Sequence, residues 1–146
     1  MGNLDIQLIA PILERHQVVL AYLFGSVARG EHGPHSDVDV AVVFSDDKLG
    51  KEDFKRRMAL ASEISQTLGV VDTDVINLKT AKEPLIKHNA VFTGRPILVK
   101  DNNLRFAVER AIVREYEKTK PLRRIASLVL RQHLQADTFG RPLVIA

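Results

Sequence analysis

The sequence contains no cysteine among its 146 residues. That absence excludes a disulfide framework and any metal site built from thiolates. Aromatic residues are also scarce, at 5% of the chain, but the hydrophobic share reaches 45%. The chain is therefore long and apolar enough for one compact domain with a sizeable core.

Long apolar runs are missing as well. No stretch approaches the roughly 18–20 residues that a membrane-spanning helix needs. The first residues lack a basic region followed by an apolar stretch, so a signal peptide is not expected. We therefore expect a cytoplasmic protein with no membrane partner. The formal net charge of +3 fits a nucleotide or an acidic partner, although such mild basicity is common in proteins that bind neither.

The most informative stretch joins two apolar runs. The first, VVLAYLF at 18–24, predicts a buried strand that leads into Gly25 and Ser26. The second predicted strand, at about 37–44, carries Asp37 and Asp39 at its start. Ten residues separate Ser26 from Asp37, and one separates the two aspartates. Because side chains at i and i+2 of a strand point to the same face, the two carboxylates should lie a few ångströms apart.

Two parallel carboxylates repel each other unless a cation lies between them. Mg²⁺ takes oxygen ligands and is typically held by one or two carboxylates together with substrate phosphates. A Gly-Ser turn between a strand and a helix offers backbone N–H groups and a hydroxyl to such phosphates. The alternatives are an exposed polar strand entry for Asp37 and Asp39, and an ordinary turn for Gly25-Ser26. Aspartate is disfavoured in strands, which supports the metal interpretation.

This arrangement resembles the minimal nucleotidyltransferase family of the DNA polymerase beta superfamily. The family signature is Gly-Ser, ten residues and Asp-x-Asp, usually with Ala-Arg-Gly after the serine and Ser before the first aspartate. The matching residues are Gly25, Ser26, Ala28, Arg29, Gly30, Ser36, Asp37 and Asp39. The resemblance covers about residues 18–100. It implies an α/β polymerase-beta-like nucleotidyltransferase fold, in which helices pack on one face of a small mixed sheet and extra helices follow at the C-terminus.

The resemblance also implies a site. Asp37, Asp39 and a third carboxylate would bind two Mg²⁺ ions and act in catalysis, with ATP as substrate. The residues expected to bind the nucleotide are Gly25, Ser26, Arg29 and Ser36. Arg29 has the alternative of a surface arginine or a structural ion pair.

The third carboxylate has two candidates, both in the segment VDTDVINL. Asp72 and Asp74 would share one face of a strand, so the alternation of side chains does not separate them. Asp74 precedes a run of mainly apolar residues, as the corresponding aspartate does in family members. We therefore assign Asp74 to the metal site and expect Asp72 to lie in solvent.

The resemblance further implies transfer of AMP from ATP to a hydroxyl. Minimal members of the family are often antitoxins that adenylylate a tyrosine of a HEPN-domain ribonuclease toxin, and the short chain fits that class. One rival is a small-molecule, aminoglycoside-type nucleotidyltransferase, which usually carries a larger C-terminal substrate domain. Another is a non-catalytic module that neutralises a toxin by binding alone. The complete carboxylate set favours an enzyme.

The remaining pattern predicts helices at about 4–15, 53–68, 103–119 and 121–134. It also predicts a third strand at about 71–78, a helix opened by a capping box at 80–83, and a short edge strand at 96–99. Pro11 indicates either a kink or a later start for the first helix. Residues 1–100 would form the nucleotidyltransferase domain, and residues 101–146 a C-terminal helical extension of it.

The C-terminal segment from Arg105 to Arg131 is rich in positive charge. It contains eight lysine and arginine residues but only three glutamates. The pattern predicts either a solvated helix face or a docking surface for an acidic partner or RNA. With a toxin protein as the implied partner, direct nucleic-acid binding is not expected.

Overall fold

Alternating helices and strands make up the part of the chain that the computed structural model describes, residues 5–25 and 37–135. A short 3-10 helix at Ile6–Leu8 opens the chain. The helices are α1 (Ile9–Arg15), α2 (Gly50–Leu68), α3 (Pro84–Phe92), α4 (Asn102–Glu117) and α5 (Lys120–Gln135). The strands are β1 (Val18–Phe24), β2 (Val38–Phe44), β3 (Thr73–Asn77) and β4 (Arg95–Val99). No helix in these ranges is long and apolar enough to cross a membrane.

The four strands form one mixed sheet in the order β3-β2-β1-β4. β1 is antiparallel to both β2 and β4, whereas β2 and β3 are parallel. A parallel pair needs a long crossover, and α2 supplies it. The mixed sheet and the edge position of β4 confirm the sequence prediction.

Helices cover both faces of the sheet. Val38 and Val40 of β2 pack with residues of α1 and α2, whereas Ala41 and Val43 pack with residues of α3 and α4. The prediction that helices lie on one face is therefore wrong. The sequences of β1 and β2 already indicate helices on both faces. Each strand is an almost continuous apolar run, and strands buried on both faces have this pattern.

The buried side of α2 differs from the predicted one. The helical spacing of Phe54, Met58, Ala61, Ser65 and Leu68 predicts one buried face, but Phe54 and Met58 are 55% and 42% exposed. Leu60 and Ile64 are fully buried instead. Asp53 lies on this same buried side, where Asn77 and Thr80 donate hydrogen bonds to its carboxylate. Gly69 ends the helix in the left-handed conformation (φ +68°), as predicted.

The structure also decides two helix starts. The first α-helix begins at Ile9, which confirms the later start that Pro11 indicated, because Pro11 then lies in the first turn, where the missing N–H breaks no helical bond. The prediction of a capping box at 80–83 is wrong. α3 begins at Pro84 after Glu83, whose side chain makes no capping bond.

Candidate active site

Two of the predicted carboxylates belong to paired residues of adjacent strands. Asp39 of β2 is the register partner of Asp74 of β3. On the other side of β2, Asp39 pairs with Phe24, the last residue of β1. Asp39 therefore lies between the end of β1 and the start of β3. This pairing brings together residues that are 35 positions apart in the sequence.

Alternation along the strands places these carboxylates on one face of the sheet. Val38 and Val40 pack toward α1 and α2, so Asp39 between them faces the opposite side. Val75 also packs toward α2, and Asp74 before it faces the same side as Asp39. Asp37 precedes β2 and is exposed, as is Asp74, whereas Asp39 is half-buried. The predicted common face of the carboxylates is consistent with this register.

Gly25 brings the main chain directly against Asp39. Its φ is +75°, a region that residues with a Cβ rarely adopt. A Cβ atom built on Gly25 would lie 2.2 Å from Asp39 Oδ2, well inside van der Waals contact. Glycine is therefore required here for two reasons, conformation and space. The end of β1 and the Asp39 carboxylate form one tightly packed unit.

Asp72 has a different environment from Asp74. Its Oδ1 accepts a hydrogen bond of 3.1 Å from the backbone N–H of Thr73. Its carbonyl oxygen accepts another, also 3.1 Å, from the N–H of Val38. The first bond uses the Asp72 carboxylate and the second only its backbone, and both lie where β3 begins beside β2. The assignment of Asp74 as the third carboxylate stays a prediction.

The donor atoms available here suit a hard cation such as Mg²⁺. They are carboxylate oxygens, and the chain has no thiolate that would favour a softer metal. Within residues 5–25 and 37–135, no three carboxylate or histidine side chains are grouped closely enough to hold a metal ion. Mutual repulsion keeps carboxylates apart, and a shared cation removes that repulsion. The predicted nucleotide-binding residues Ser26, Arg29 and Ser36 lie outside the described residues.

An open groove lies beside Asp74, between α2 and the edge strand β3. Its volume is about 670 Å³, and it is lined by Met58, Ser62, Val71, Asp72 and Asp74 among others. No local sequence pattern indicates this groove. The helical spacing of Met58 predicts a buried side chain, and only its 42% exposure, with 71% for Val71, reveals an apolar wall in solvent.

The arrangement defines a class of protein. A mixed sheet, aspartates at the start of two parallel strands and a glycine against one of them are the core of a nucleotidyltransferase. The chain belongs to the Polymerase beta, Nucleotidyltransferase family, whose pattern matches residues 7–103. No curated protein matches the sequence.

Several solved structures share the fold. One is a chain of a toxin–antitoxin crystal structure with AMP-PNP. It is 23% identical in sequence and has a TM-score of 0.72, and the match covers 87% of this chain and 99% of that chain. Another is a chain of the MntA–HepT toxin–antitoxin pair, with 21% identity, 88% and 99% coverage, and a TM-score of 0.67. A third comes from the complex of a tri-AMPylated Shewanella oneidensis HEPN toxin with MNT antitoxin, with 22% identity, 89% and 99% coverage, and a TM-score of 0.68.

Proposed function

We propose that this protein is an antitoxin that transfers AMP from Mg·ATP to a tyrosine hydroxyl of a cognate HEPN ribonuclease toxin. The observation that carries the proposal is the pairing of Asp39 with Asp74, with Gly25 packed against the Asp39 carboxylate. The structurally similar chains supply the substrate class. One comes from a complex with AMP-PNP, and another from a complex in which the HEPN toxin is tri-AMPylated.

The residues divide into a nucleotide side and an acceptor side. Gly25 and Ser26 follow β1, where backbone N–H groups and a hydroxyl are suited to bind the β and γ phosphates as pyrophosphate departs. Asp37, Asp39 and Asp74 would hold the Mg²⁺ ions. Bound there, Mg²⁺ neutralises charge on the phosphates and lowers the pKa of the attacking hydroxyl. Gly25 packs against the Asp39 carboxylate at the end of β1.

The acceptor would approach from the side of β3. Asp74 lies at the end of the groove between α2 and β3. Met58 and Val71 present apolar surface there, which is suited to the ring of an acceptor tyrosine. Because the Asp74 carboxylate faces the side of the sheet away from α2, a ring in this groove would present its hydroxyl to Asp74 around the open edge of β3.

The test is transfer of label to a purified HEPN toxin from ATP labelled at either the α- or the γ-phosphorus. A nucleotidyltransferase transfers only the α label. Mass spectrometry should place the adduct on tyrosine, and Asp39→Asn should abolish it. Transfer of the γ label alone would overturn the proposal, because that product requires a kinase.

Two further outcomes identify the rival functions. Label on an aminoglycoside but not on the protein would favour the small-molecule enzyme. Toxin neutralised without label would favour the binding module. Calorimetry adds an independent measurement, since Mg²⁺ should strengthen ATP binding in the wild type but not in Asp37→Asn/Asp39→Asn. Equal, metal-independent binding in both proteins would contradict the proposed site.

A further inference from the structure

The last helix, α5, contributes no buried side chain to the described part of the protein. Its apolar face is formed by Leu122, Ile125, Val129 and Leu130, which follow the i, i+3, i+7, i+8 spacing of an amphipathic helix. Leu122 is 71% exposed, Ile125 58% and Leu130 50%. Single exposed leucines are ordinary, but a contiguous apolar face on a soluble domain marks an interaction site. Helices that bind in a groove use this same spacing for their anchors.

The same helix is positively charged throughout. It contains Lys120, Arg123, Arg124 and Arg131 but no aspartate or glutamate. Arg124, Arg131 and Lys120 line a shallow groove of about 310 Å³ on the polar side of the helix. Within the described ranges no carboxylate pairs with these three residues. Cations at 120, 123 and 124 also occupy the first turns of α5, where the helix dipole favours negative charge.

α5 is nevertheless fixed at its base. The Arg123 guanidinium lies 3.9 Å above the ring centroid of Tyr116 in α4, and its Nε donates a 2.9 Å hydrogen bond to Thr119. Tyr116 stacks in turn on His88 of α3, with ring centroids 3.9 Å apart. This stack of three side chains joins α5 to the body of the protein. The apolar face is thus presented on a positioned helix, which lowers the cost of ordering it in a complex.

We propose that α5 is a docking helix for the partner protein, separate from the carboxylate site. Its occupant is a protein surface that presents apolar side chains flanked by carboxylates. The apolar face needs a nonpolar counterpart, and the unpaired cations need acidic ones. The proposal rests on the proposed function in one respect, since it takes the HEPN toxin as that partner.

Other occupants fit the residues less well. α5 has no phenylalanine, tyrosine or tryptophan, whereas single-stranded nucleic acids stack on such rings and membrane-surface helices commonly insert Trp or Phe. A second copy of α5 would bring cations of the same sign together without a carboxylate to pair with them.

The experiment is calorimetric binding of the purified HEPN toxin to variants with altered α5. Leu122→Ser/Ile125→Ser removes apolar anchors, and Arg124→Glu/Arg131→Glu reverses charge. The matched controls are Leu85→Ser/Ile86→Ser on α3, which are 52% and 39% exposed, and Arg110→Glu/Arg114→Glu on the exposed side of α4. Because α5 buries no side chain in the described residues, the thermal midpoint of its variants should stay that of the wild type.

We expect both α5 variants to weaken binding at least tenfold, whereas both controls bind as wild type does. The charge variant should also reduce the dependence of binding on salt. Arg123→Ala should weaken binding by a smaller factor, because it loosens the base of the helix but leaves the docking face intact.

Several results would overturn the docking proposal. One is a wild type that does not bind the toxin, and another is equal binding by the α5 variants and their controls. Sedimentation could show that the wild type is a dimer and that Leu122→Ser/Ile125→Ser is a monomer. That result would assign the apolar face of α5 to a second copy of the chain. Flotation with anionic phosphatidylserine vesicles, lost in the charge variant, would assign it to a membrane. A dye that binds exposed apolar surface could bind only after deletion of residues 136–146. That result would assign the apolar face of α5 to that segment.

The two proposals fail in different ways. Toxin binding that depends on α5 but leaves the toxin unlabelled contradicts the proposed function and supports docking. Labelling of the toxin at the wild-type rate by both α5 variants, with unchanged affinity, supports the proposed function and contradicts docking.

Discussion

Asp53 has the opposite environment from the predicted site aspartates Asp37 and Asp74. Asp53 is 4% exposed, and both of its carboxylate oxygens accept hydrogen bonds. It accepts hydrogen bonds of 2.8 Å from Asn77, 3.0 Å from Arg57 and 3.2 Å from Thr80. Asp37 and Asp74 are exposed at the starts of strands, where aspartate is disfavoured. Burial with complete hydrogen bonding is the mark of a structural carboxylate.

The contrast indicates what each set contributes. Removing Asp53 would leave three donors without their acceptor, so its contribution lies in the stability of the fold. Asp37 and Asp74 accept no such set of hydrogen bonds among the described residues, and their placement near Asp39 fits the proposed metal site. If Asp53 is structural and Asp37 and Asp74 belong to the site, substitutions should lower stability most at Asp53 and least at Asp37 and Asp74.

Asp53→Ala should cause the largest loss of stability. It leaves the buried Asn77 amide without its acceptor and takes the ion-pair partner from the partly exposed Arg57, and a buried donor left unsatisfied costs about 1–3 kcal/mol. Urea unfolding measures the loss as a lower midpoint. The control is Asp47→Ala, because Asp47 is 80% exposed in its pair with Lys79, and its loss should stay within about 0.5 kcal/mol. Similar values for both variants would remove Asp53 from the structural set.

Gly25→Ala and Gly50→Ala should lower the free energy of unfolding by similar amounts, but only Gly25→Ala should lower AMP transfer. Both glycines have positive φ, +75° and +61°, and alanine there costs about 1–2 kcal/mol. A Cβ at Gly50 has nothing within 4 Å, whereas one at Gly25 meets Asp39 Oδ2. The flexible carboxylate can move aside, so the additional damage is to the site. AMP transfer should fall at least tenfold in Gly25→Ala alone, and equal activity in both variants would contradict the proposed role of Gly25.

The ion pair of Asp46 should give a smaller, pH-dependent effect. Arg56 donates two hydrogen bonds to Asp46, of 2.6 and 2.8 Å, and they lower the pKa of that carboxyl below its ordinary value of 3.8. The resulting stability is present above pH 3.8 and is lost as the pH falls through the lower folded-state pKa.

Thermal scans from pH 6 to pH 3 test this linkage. The difference in midpoint between wild type and Asp46→Asn should shrink below pH 3.8, because the wild-type carboxylate becomes protonated there. Asp47→Asn is the control, and its smaller difference should change little. A difference for Asp46→Asn that grows toward pH 3 would have the wrong sign for a depressed pKa.

Asp37→Asn and Asp74→Asn should give the smallest effect. With metal removed by a chelator, their midpoints should equal or slightly exceed that of the wild type, since each relieves repulsion between carboxylates. Added Mg²⁺ and ATP should then raise the wild-type midpoint more than that of Asp37→Asn. A large loss of stability without metal would instead make Asp37 and Asp74 structural.

Local features of the fold were predictable, and features that depend on distant residues were not. The apolar runs at 18–24 and 38–44 predict β1 and β2 because a short apolar run is a local signal. The buried side of α2 was predicted wrongly because Leu60 and Ile64 follow helical spacing as Phe54 and Met58 do, and the choice between the two sides depends on what packs against the helix, such as Asn77 against Asp53, 24 residues apart. The apolar wall of the groove was missed for the same reason, since its Met58 lies on the side of α2 that is left exposed.

The site shows the same limit. The spacing of Asp37 and Asp39 predicts a common face because alternation is a property of one strand. It contains no information on which residue of β3 lies beside Asp39, and that depends on the parallel register of two strands. The exposed apolar face of α5 is a third case. The spacing of its leucines predicts an amphipathic helix, but not that its apolar face would stay uncovered by the rest of the described chain.

The assignment of the third carboxylate is the central claim, and one measurement tests it directly. Asp74→Asn and Asp72→Asn are compared for transfer of α-labelled AMP to the HEPN toxin, with Mg·ATP affinity measured in parallel. We expect Asp74→Asn to keep its affinity within a few-fold but to lose transfer by about a thousandfold, because a positioned metal contributes several kcal/mol in the transition state. Asp72→Asn should resemble the wild type. An inactive Asp72→Asn beside an active Asp74→Asn would contradict the account.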